Sequence, residues 1–421
     1  MKVAVYSLGC KVNIYESEYV ISLLKNHNYE IVDFDDIADI YIINTCSVTN
    51  ESDKKSRKII NQAKRRNKDA IIVVMGCYSQ IKANEIDADI VIGNRDKSLI
   101  LDIISEYLTN HNKIKRIYDL SNQQFEDMTI TNFENHTRAF VKIQDGCNAY
   151  CSYCIIPYTR GGLRSKKMDL VLKEVEFLVK QGYKEIVLTG IHTGRYGIDI
   201  NTNLETLLDN LVKIKGLYRI RLSSIEINEI TPHIIELINN NNIMAKHLHV
   251  PLQSGSEKIL KSMNRKYNKE EFINKIKNLK NIKDISLTTD LIVGFPGEGE
   301  EEFQETLDTL KEIEFTKIHT FPYSKREGTP ASTMNNQVDD VVKKNRVREV
   351  IALSNNLENK YYNKYIGKVL DGVVEVRKNI CLVLTSNYIS VIVNNKLKNN
   401  DIVKVRITNV IDDKVYGEIV E

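Results

Sequence analysis

No stretch of this 421-residue chain is apolar for long enough to cross a membrane: the longest uncharged apolar run, residues 70–81, falls short of the roughly 18 residues a span needs. Nor is there a basic leader followed by an apolar segment. Met1-Lys2-Val3-Ala4-Val5 passes straight into a strand-like pattern, so no signal peptide, no membrane partner and a cytoplasmic location are expected. An excess of one charge is missing as well. With 59 Lys and Arg against 56 Asp and Glu, the net charge of +3 leaves any nucleic-acid surface to local clustering. The seven cysteines are an odd number in a long chain without an export signal, which argues against a disulfide framework and for thiols that bind metal, react or pack. What is present is the composition of an ordinary folded protein, 42% hydrophobic and 27% charged, with length for roughly three domains.

In the first hundred residues, β-rich runs at 3–8, 40–44, 70–75 and 90–92 alternate with polar, helix-like stretches, the pattern of a doubly wound parallel sheet. Three of the four runs end at a cysteine: Leu8-Gly9-Cys10, Asn44-Thr45-Cys46 and Met75-Gly76-Cys77. Ligands of open α/β sheets sit outside the carboxyl ends of the strands, so three thiols delivered there can converge. A lone cysteine is most often a small buried hydrophobe; three in one topological position point to a metal site. Residues 121–136 turn polar without an apolar period and read as a linker. Six further strands are expected to begin near residues 140, 185, 218, 247, 286 and 315, too few for a closed eight-stranded barrel and enough for a partial one. Asn203 is expected to cap one connecting helix, Leu204, Leu207, Leu208 and Leu211 to form its buried face, and Gly216 to end it. A charged helix over 338–365 leads to five short strands between 369 and 420, a small antiparallel barrel of OB type, with Cys381 in its core.

The strongest local signal is Cys147-Asn148-Ala149-Tyr150-Cys151-Ser152-Tyr153-Cys154, directly after the first strand of the second unit. A tetrahedral zinc site would need a fourth ligand, and no second CxxC or paired histidine motif lies nearby; a thioredoxin-like pair would need only Cys151 and Cys154. Three cysteines suit three irons of a four-iron cluster, leaving one iron open to an exogenous ligand.

CxxxCxxC at the end of the first strand of a six-unit βα barrel resembles the radical S-adenosylmethionine (SAM) superfamily. The order of strand-end cysteines, radical SAM core and a C-terminal unit similar to the TRAM RNA-binding domain resembles the methylthiotransferases across nearly the whole chain. The resemblance implies an α/β chain in three parts: an N-terminal doubly wound parallel sheet at 1–113, a central partial (β/α)6 radical SAM barrel at 133–360, and a small antiparallel OB-like TRAM barrel at 362–421. It implies two [4Fe-4S] clusters, an auxiliary one on Cys10, Cys46 and Cys77 and a radical SAM one on Cys147, Cys151 and Cys154. One SAM would supply a methyl group and another would be cleaved to a 5′-deoxyadenosyl radical. An electron donor such as a flavodoxin or ferredoxin is implied as a partner. No side-chain general base is required, so the acids of Glu298-Gly299-Glu300-Glu301-Glu302 are expected to serve a helix first turn. Relatives often carry Thr at the position of Gly299, which bears on capping alone.

SAM is expected across the strand ends, against Tyr153, Gly190, Gln253, Ser254, Gly294 and Pro296. For tRNA, eight of the fifteen residues from 54 to 68 are basic and none is acidic: Lys54, Lys55, Arg57, Lys58, Lys64, Arg65, Arg66 and Lys68. Such a run is usually a solvated helix face, but this one begins just beyond Cys46. Arg160, Arg164, Lys166 and Lys167 form a second basic group. The family's substrates are the isopentenyl- or threonylcarbamoyl-modified adenosine beside the tRNA anticodon and an aspartate of a ribosomal protein. Gly9-Cys10-Lys11-Val12-Asn13, Asn44-Thr45-Cys46-Ser47-Val48-Thr49-Asn50 and Thr189-Gly190-Ile191-His192 most resemble the threonylcarbamoyladenosine branch; siblings tend to have Gln-Met or Pro-Lys after the first cysteine. The target would be carbon 2 of an unstacked base, a C–H without acidity for a side chain to exploit, which favours radical abstraction. The threonylcarbamoyl carboxylate would be met by Arg160, Arg164 or Arg195. The alternatives are the isopentenyl branch, the ribosomal aspartate, and a non-catalytic iron–sulfur protein that binds RNA or transfers electrons, which would prefer four thiolates per cluster.

Overall fold

Residues 1–121, 123–130, 137–377 and 380–420 are described by a computed structural model. The first unit is built on β1 (Lys2–Ser7), β2 (Glu30–Val32), β3 (Ile40–Thr45), β4 (Ile71–Gly76), β5 (Ile90–Ile92) and β6 (Ile114–Arg116). They pair in the order β2-β1-β3-β4-β5-β6, every pair parallel. β3 and β4 are buried along their whole length because helices cover both faces, and this is why they read as continuous apolar runs without alternation. Those helices are α1 (Lys11–Asn26), α2 (Asn50–Arg66), α3 (Cys77–Lys82) and α4 (Ile100–Asn110). The two edge strands, β2 and β6, are three residues each and escape sequence reading.

The stretch expected as a polar linker is tied down where it is described. Met128 and Ile130 are buried in the main core, and Glu126 accepts hydrogen bonds from the amide and hydroxyl of Ser98. Two apolar side chains two residues apart are too short a signal to register as a period. Residues 122 and 131–136, including the expected domain start at 133, lie outside the described residues.

The second unit begins with β7 (Ala139–Lys142) and β8 (Gln144–Asp145), followed by α5 (Ile156–Arg160) and β9 (Arg164–Ser165), which pairs with β8. Then come α6 (Met168–Lys180), β10 (Glu185–Thr189), α7 (Leu204–Leu211), β11 (Arg219–Leu222), α8 (Pro232–Asn240), β12 (His247–His249), α9 (Glu257–Ser262), α10 (Lys269–Leu279), β13 (Ser286–Val293), α11 (Glu300–Ile313) and β14 (Lys317–Pro322). The parallel sheets β11-β10-β7 and β12-β13-β14 are joined by a bridge between Ile220 and Met244, giving the six-stranded partial barrel expected. Asn203 caps α7 through the Thr206 amide and the four leucines are buried, but the helix closes at Leu211, and Gly216 makes a separate left-handed turn after it.

The acidic run also divides. Glu300, Glu301 and Glu302 occupy the first turn of α11, and Glu302 reaches back to the Gly299 amide at 2.7 Å, supplying the cap that glycine lacks. Glu298 stands outside the helix: it is buried, accepts from the Gly294 amide and pairs with Arg346 at 2.7 Å. Arg346 lies on α12 (Asp340–Asn363), which carries the chain to β15 (Val369–Arg377), β16 (Ile380–Thr385), β17 (Ser390–Val393), β18 (Ile402–Ile411) and β19 (Lys414–Val420). These close a barrel in the order β15-β16-β17-β19-β18, antiparallel except where β17 meets β19. Cys381 is in its core. The barrel docks on the second unit through Arg219, which donates to Leu384 O, and through Tyr388, stacked on His247 at 4.3 Å.

Candidate active site

β1, β3 and β4 end side by side, and a cysteine follows each. Gly9 and Gly76 have φ of +97° and +103°; a Cβ on Gly9 would stand 2.8 Å from Cys46 Sγ, and one on Gly76 2.5 Å from Asn44 Oδ1. Only glycine lets these strand ends approach so closely. Asn13, on the first turn of α1, ties them together: its Nδ2 donates to Leu8 O at 2.7 Å and to Thr45 O at 3.0 Å, and its own carbonyl accepts from Asn44 Nδ2. Cys46 and Cys77 are buried and Cys10 reaches the surface of the cleft. Burial, then the neighbouring Cys77, pushes the Cys46 thiol up to about 11.

The second triad lies on one loop. Ser152 pins it, donating from its amide to Met263 O at 3.0 Å and from its hydroxyl to Ser262 O at 2.7 Å. Arg265 Nη1 donates to Cys151 Sγ at 3.3 Å while the same guanidinium pairs with Glu226. His192 Nδ1 lies 3.3 Å from Cys147 Sγ, and its Nε2 lies 2.7 Å from Glu229. Burial disfavours a charged His192, but Cys147 and Glu229 outweigh it and raise its pKa to about 10. Burial pushes the Cys154 thiol up to about 12.

Members of both triads meet at one cavity of about 490 Å³, lined by Cys10 and Cys46 on one side and by Tyr153, Cys154, Gln253 and Asp290 on the other. Arg326 of the second unit ties the segment after Cys46 to it, bonding Ser47 and Asn50 and pairing with Asp53 at 2.8 Å. Among the described residues, no three His, Cys, Asp or Glu side chains are gathered to hold a single metal ion. Neither triad is therefore arranged as a zinc site. Each set offers three thiols, and a four-iron cluster with one open iron takes three thiolates.

The other expected site residues divide. Tyr153 and Gln253 line the cavity, and burial holds the Tyr153 phenol well above its usual pKa. Ser254 is fully buried and turned toward Thr306 and the Ser256 amide. Gly190 lacks a Cβ because Gln144 packs on it: a Cβ there would be 3.0 Å from Gln144 Oε1. At Gly294 it would be 2.3 Å from Lys343 Cγ, so Gly294 packs against α12, and Pro296 beside it is buried.

The basic groups are corrected more sharply. Arg160 and Lys166 are completely buried and Arg164 nearly so; they pair with Glu16 and Asp145, with Glu174, and with Asp145 respectively. None of the three is available to RNA, and Arg160 and Arg164 are not available to a substrate carboxylate. On α2, Lys54, Lys55, Arg57 and Lys58 are exposed on the turns nearest Cys46, with Lys54 paired to Glu51. Lys64, Arg65 and Arg66 sit in the last turn, at the far end of the helix, where Lys64 pairs with Asp87 and Arg66 with Asp35. A 17-residue helix spans about 25 Å, so these three stand away from the cleft. Sequence reasoning missed Asn13, His192, Arg265 and Asn94, whose Nδ2 donates to Cys77 Sγ at 3.4 Å, as neighbours of the cysteines; only Asn13, in Cys10-Lys11-Val12-Asn13, stood close enough in sequence to signal its place.

The family description "Radical SAM superfamily" matches residues 141–310, and "Uncharacterized protein family UPF0004" matches residues 2–93. The chain is 45% identical over 404 residues to the threonylcarbamoyladenosine tRNA methylthiotransferase MtaB of Bacillus subtilis, covering 93% of this chain and 90% of that protein. It is 40% identical to the protein of the same name from Aquifex aeolicus, covering 93% and 96%. It is 36% identical to the tRNA-2-methylthio-N(6)-dimethylallyladenosine synthase of Acetivibrio thermocellus, covering 88% and 79%. Among solved structures, the radical SAM methyltransferase TsrM from Kitasatospora setae superposes with a TM-score of 0.57 over 79% of this chain and 76% of its own, at 15% identity, a likeness of fold alone.

Proposed function

This chain belongs to the radical SAM methylthiotransferases, and from that premise we propose that it adds a methylthio group to carbon 2 of threonylcarbamoyladenosine beside the tRNA anticodon. The supporting observation is the shared cavity, which brings Cys10 and Cys46 of one triad within the same walls as Cys154 of the other. The enzyme uses SAM and [4Fe-4S] clusters, which when bound supply the radical hydrogen abstraction and the sulfur and methyl transfer. Cys10, Cys46 and Cys77 hold one cluster and Cys147, Cys151 and Cys154 the other. Tyr153 and Gln253 flank SAM, and Arg265 and His192 hold the sulfurs of their loop in place.

For the substrate carboxylate, Arg160 and Arg164 are already paired. Arg195, whose Nε is buried without a hydrogen bond among the described residues, is a candidate. Lys11 is a second one: it directly follows Cys10, is half-buried, and has neither a hydrogen bond nor an ion pair among the described residues. tRNA lies along the exposed start of α2, at Lys55, Arg57 and Lys58. A small iron–sulfur or flavin protein supplies the electron, in the cytoplasm; among the described residues no helix is long and apolar enough to cross a membrane. The three units at 1–113, 133–360 and 362–421 carry the auxiliary cluster, the SAM chemistry and RNA binding.

Nucleoside mass spectrometry of tRNA from a strain lacking the gene tests the reading. Loss of the methylthio form of threonylcarbamoyladenosine alone is expected. Loss of the isopentenyl form alone would move the chain to the sibling branch, and normal tRNA with an unmodified ribosomal aspartate would remove RNA as the substrate.

A further inference from the structure

Behind the N-terminal triad lies a buried ionic network that joins the first two units. Glu16 of α1 accepts from Lys97 at 2.6 Å, from Lys142 at 2.8 Å and from Arg160 at 2.9 Å. Asp145 takes Lys142 at 2.7 Å, Arg160 at 3.0 Å and Arg164 at 3.3 Å. All six side chains are at most 7% exposed. Among the described residues four cations therefore face two carboxylates, and Arg160 Nε has no hydrogen-bond partner. A buried excess of positive charge is costly unless an anion balances it.

Two asparagines connect this network to the sulfur atoms of the triad. Asn94 Nδ2 donates to Cys77 Sγ at 3.4 Å, and Asn94 Oδ1 accepts from Lys97 at 3.1 Å. Asn13 Oδ1 lies 3.8 Å from Cys10 Sγ and accepts from Arg160 Nη2 at 2.7 Å. Each of two thiols is thus separated from a network cation by one asparagine. The loop triad has no such excess: Arg265, beside Cys151, is matched by Glu226, and His192, beside Cys147, by Glu229.

We propose that Arg160 and Lys97, held against Cys10 and Cys77 by Asn13 and Asn94, set the reduction potential of the auxiliary cluster and keep it above that of the radical SAM cluster. Uncompensated positive charge in a poorly screened site favours the state holding one more electron. The balanced surroundings of the loop triad leave its cluster strongly reducing, as electron donation to SAM requires. The inference rests on the assignment of Cys10, Cys46 and Cys77 to a cluster. These residues act through the ligands and are positioning residues.

The test is an EPR-monitored redox titration of the full chain, anaerobically reconstituted, in the Cys147→Ala/Cys151→Ala/Cys154→Ala background, which retains the auxiliary site alone. Arg160→Gln is expected to reduce the reduced-to-oxidised ratio at the parent midpoint about tenfold, which is about 59 mV for one electron. Arg160→Lys, which keeps the charge, should stay within about threefold of the parent. Asn94→Asp, of the same shape, should shift the midpoint in the same direction as Arg160→Gln and decides the matter if that variant fails to fold. Equal midpoints in parent and Asn94→Asp at equal iron content would overturn the inference and leave the two-cluster reading intact. A background protein without iron would overturn both.

Discussion

The two cysteine triads reach the same cavity by opposite constructions. Cys147, Cys151 and Cys154 lie within eight residues on one loop, pinned to its neighbours by Ser152. Cys10, Cys46 and Cys77 come from three strand ends and meet only because β1, β3 and β4 are adjacent in the sheet and Gly9 and Gly76 let their ends close. The loop triad depends on local chain geometry and the strand triad on the tertiary fold. Their surroundings differ accordingly: each loop cation has its own carboxylate, whereas the strand triad backs onto a network with cations to spare. The two triads are thereby given different electrostatic settings, as the proposed division of labour between SAM cleavage and sulfur insertion would need.

The most severe break of that comparison is a ligand exchange in each triad. Cys151→Ala should abolish 5′-deoxyadenosine release, a fall of at least two orders of magnitude, because the cluster proposed on its loop is the electron donor. Cys46→Ala should still release 5′-deoxyadenosine in the presence of SAM and a reductant, yet form no methylthiolated nucleoside. Chromatography of both products from the same reactions separates the two outcomes. Methylthiolation at the normal rate by Cys46→Ala would reduce the strand triad to a structural role.

The same contrast explains what could be read from the sequence. CxxxCxxC is a local pattern and was legible together with its chemistry. The strand triad was legible because each cysteine ends an apolar run, so the topology of a parallel sheet supplied the juxtaposition. The six strands of the partial barrel, the capped leucine helix and the closed C-terminal barrel were also visible, since periodicity and turn residues are properties of neighbouring positions. The side on which a charge lies was not. Arg160, Arg164 and Lys166 form a basic cluster in sequence, but Glu16, from a distant element, and the nearer Asp145 and Glu174 draw all three inside. A serine or glycine after a barrel strand was equally ambiguous: Gln253 lines the cavity, whereas Ser254 beside it turns into the protein.

Lys11 sharpens the comparison with a smaller effect, because it would make the strand-triad side the one that reads the substrate. Burial holds its pKa below the ordinary lysine value, Tyr388 and more weakly Asp290 work in the opposite direction, and Arg138 and Arg221 add to the lowering. Lys11→Met should raise KM for tRNA carrying threonylcarbamoyladenosine about tenfold, since a charge-assisted hydrogen bond is worth roughly 1.5–3 kcal/mol. Release of 5′-deoxyadenosine without tRNA should not change, because that reaction is the one proposed for the loop triad. Steady-state kinetics with the modified tRNA checks the first statement, and single-turnover SAM cleavage checks the second.

The smallest expected effect lies outside the cavity, on the helix that begins just after Cys46. α2 places Lys55, Arg57 and Lys58 on exposed positions of the turns near the cleft, and Lys64, Arg65 and Arg66 in its last turn. If tRNA enters over the strand triad, only the near group meets phosphate. Each phosphate that the protein no longer neutralises keeps about one counterion that binding would have released. Lys55→Glu/Lys58→Glu should therefore weaken tRNA binding severalfold at low salt and flatten the dependence of log Kd on log salt by about one to two units. Lys64→Glu/Arg65→Glu changes the same net charge at the far end and should alter both quantities much less. Binding titrations of the two double variants over a range of salt concentrations decide it. Equal effects from both ends would show that tRNA responds only to the total charge of the unit, and a larger effect from the far end would turn the RNA path away from the cleft.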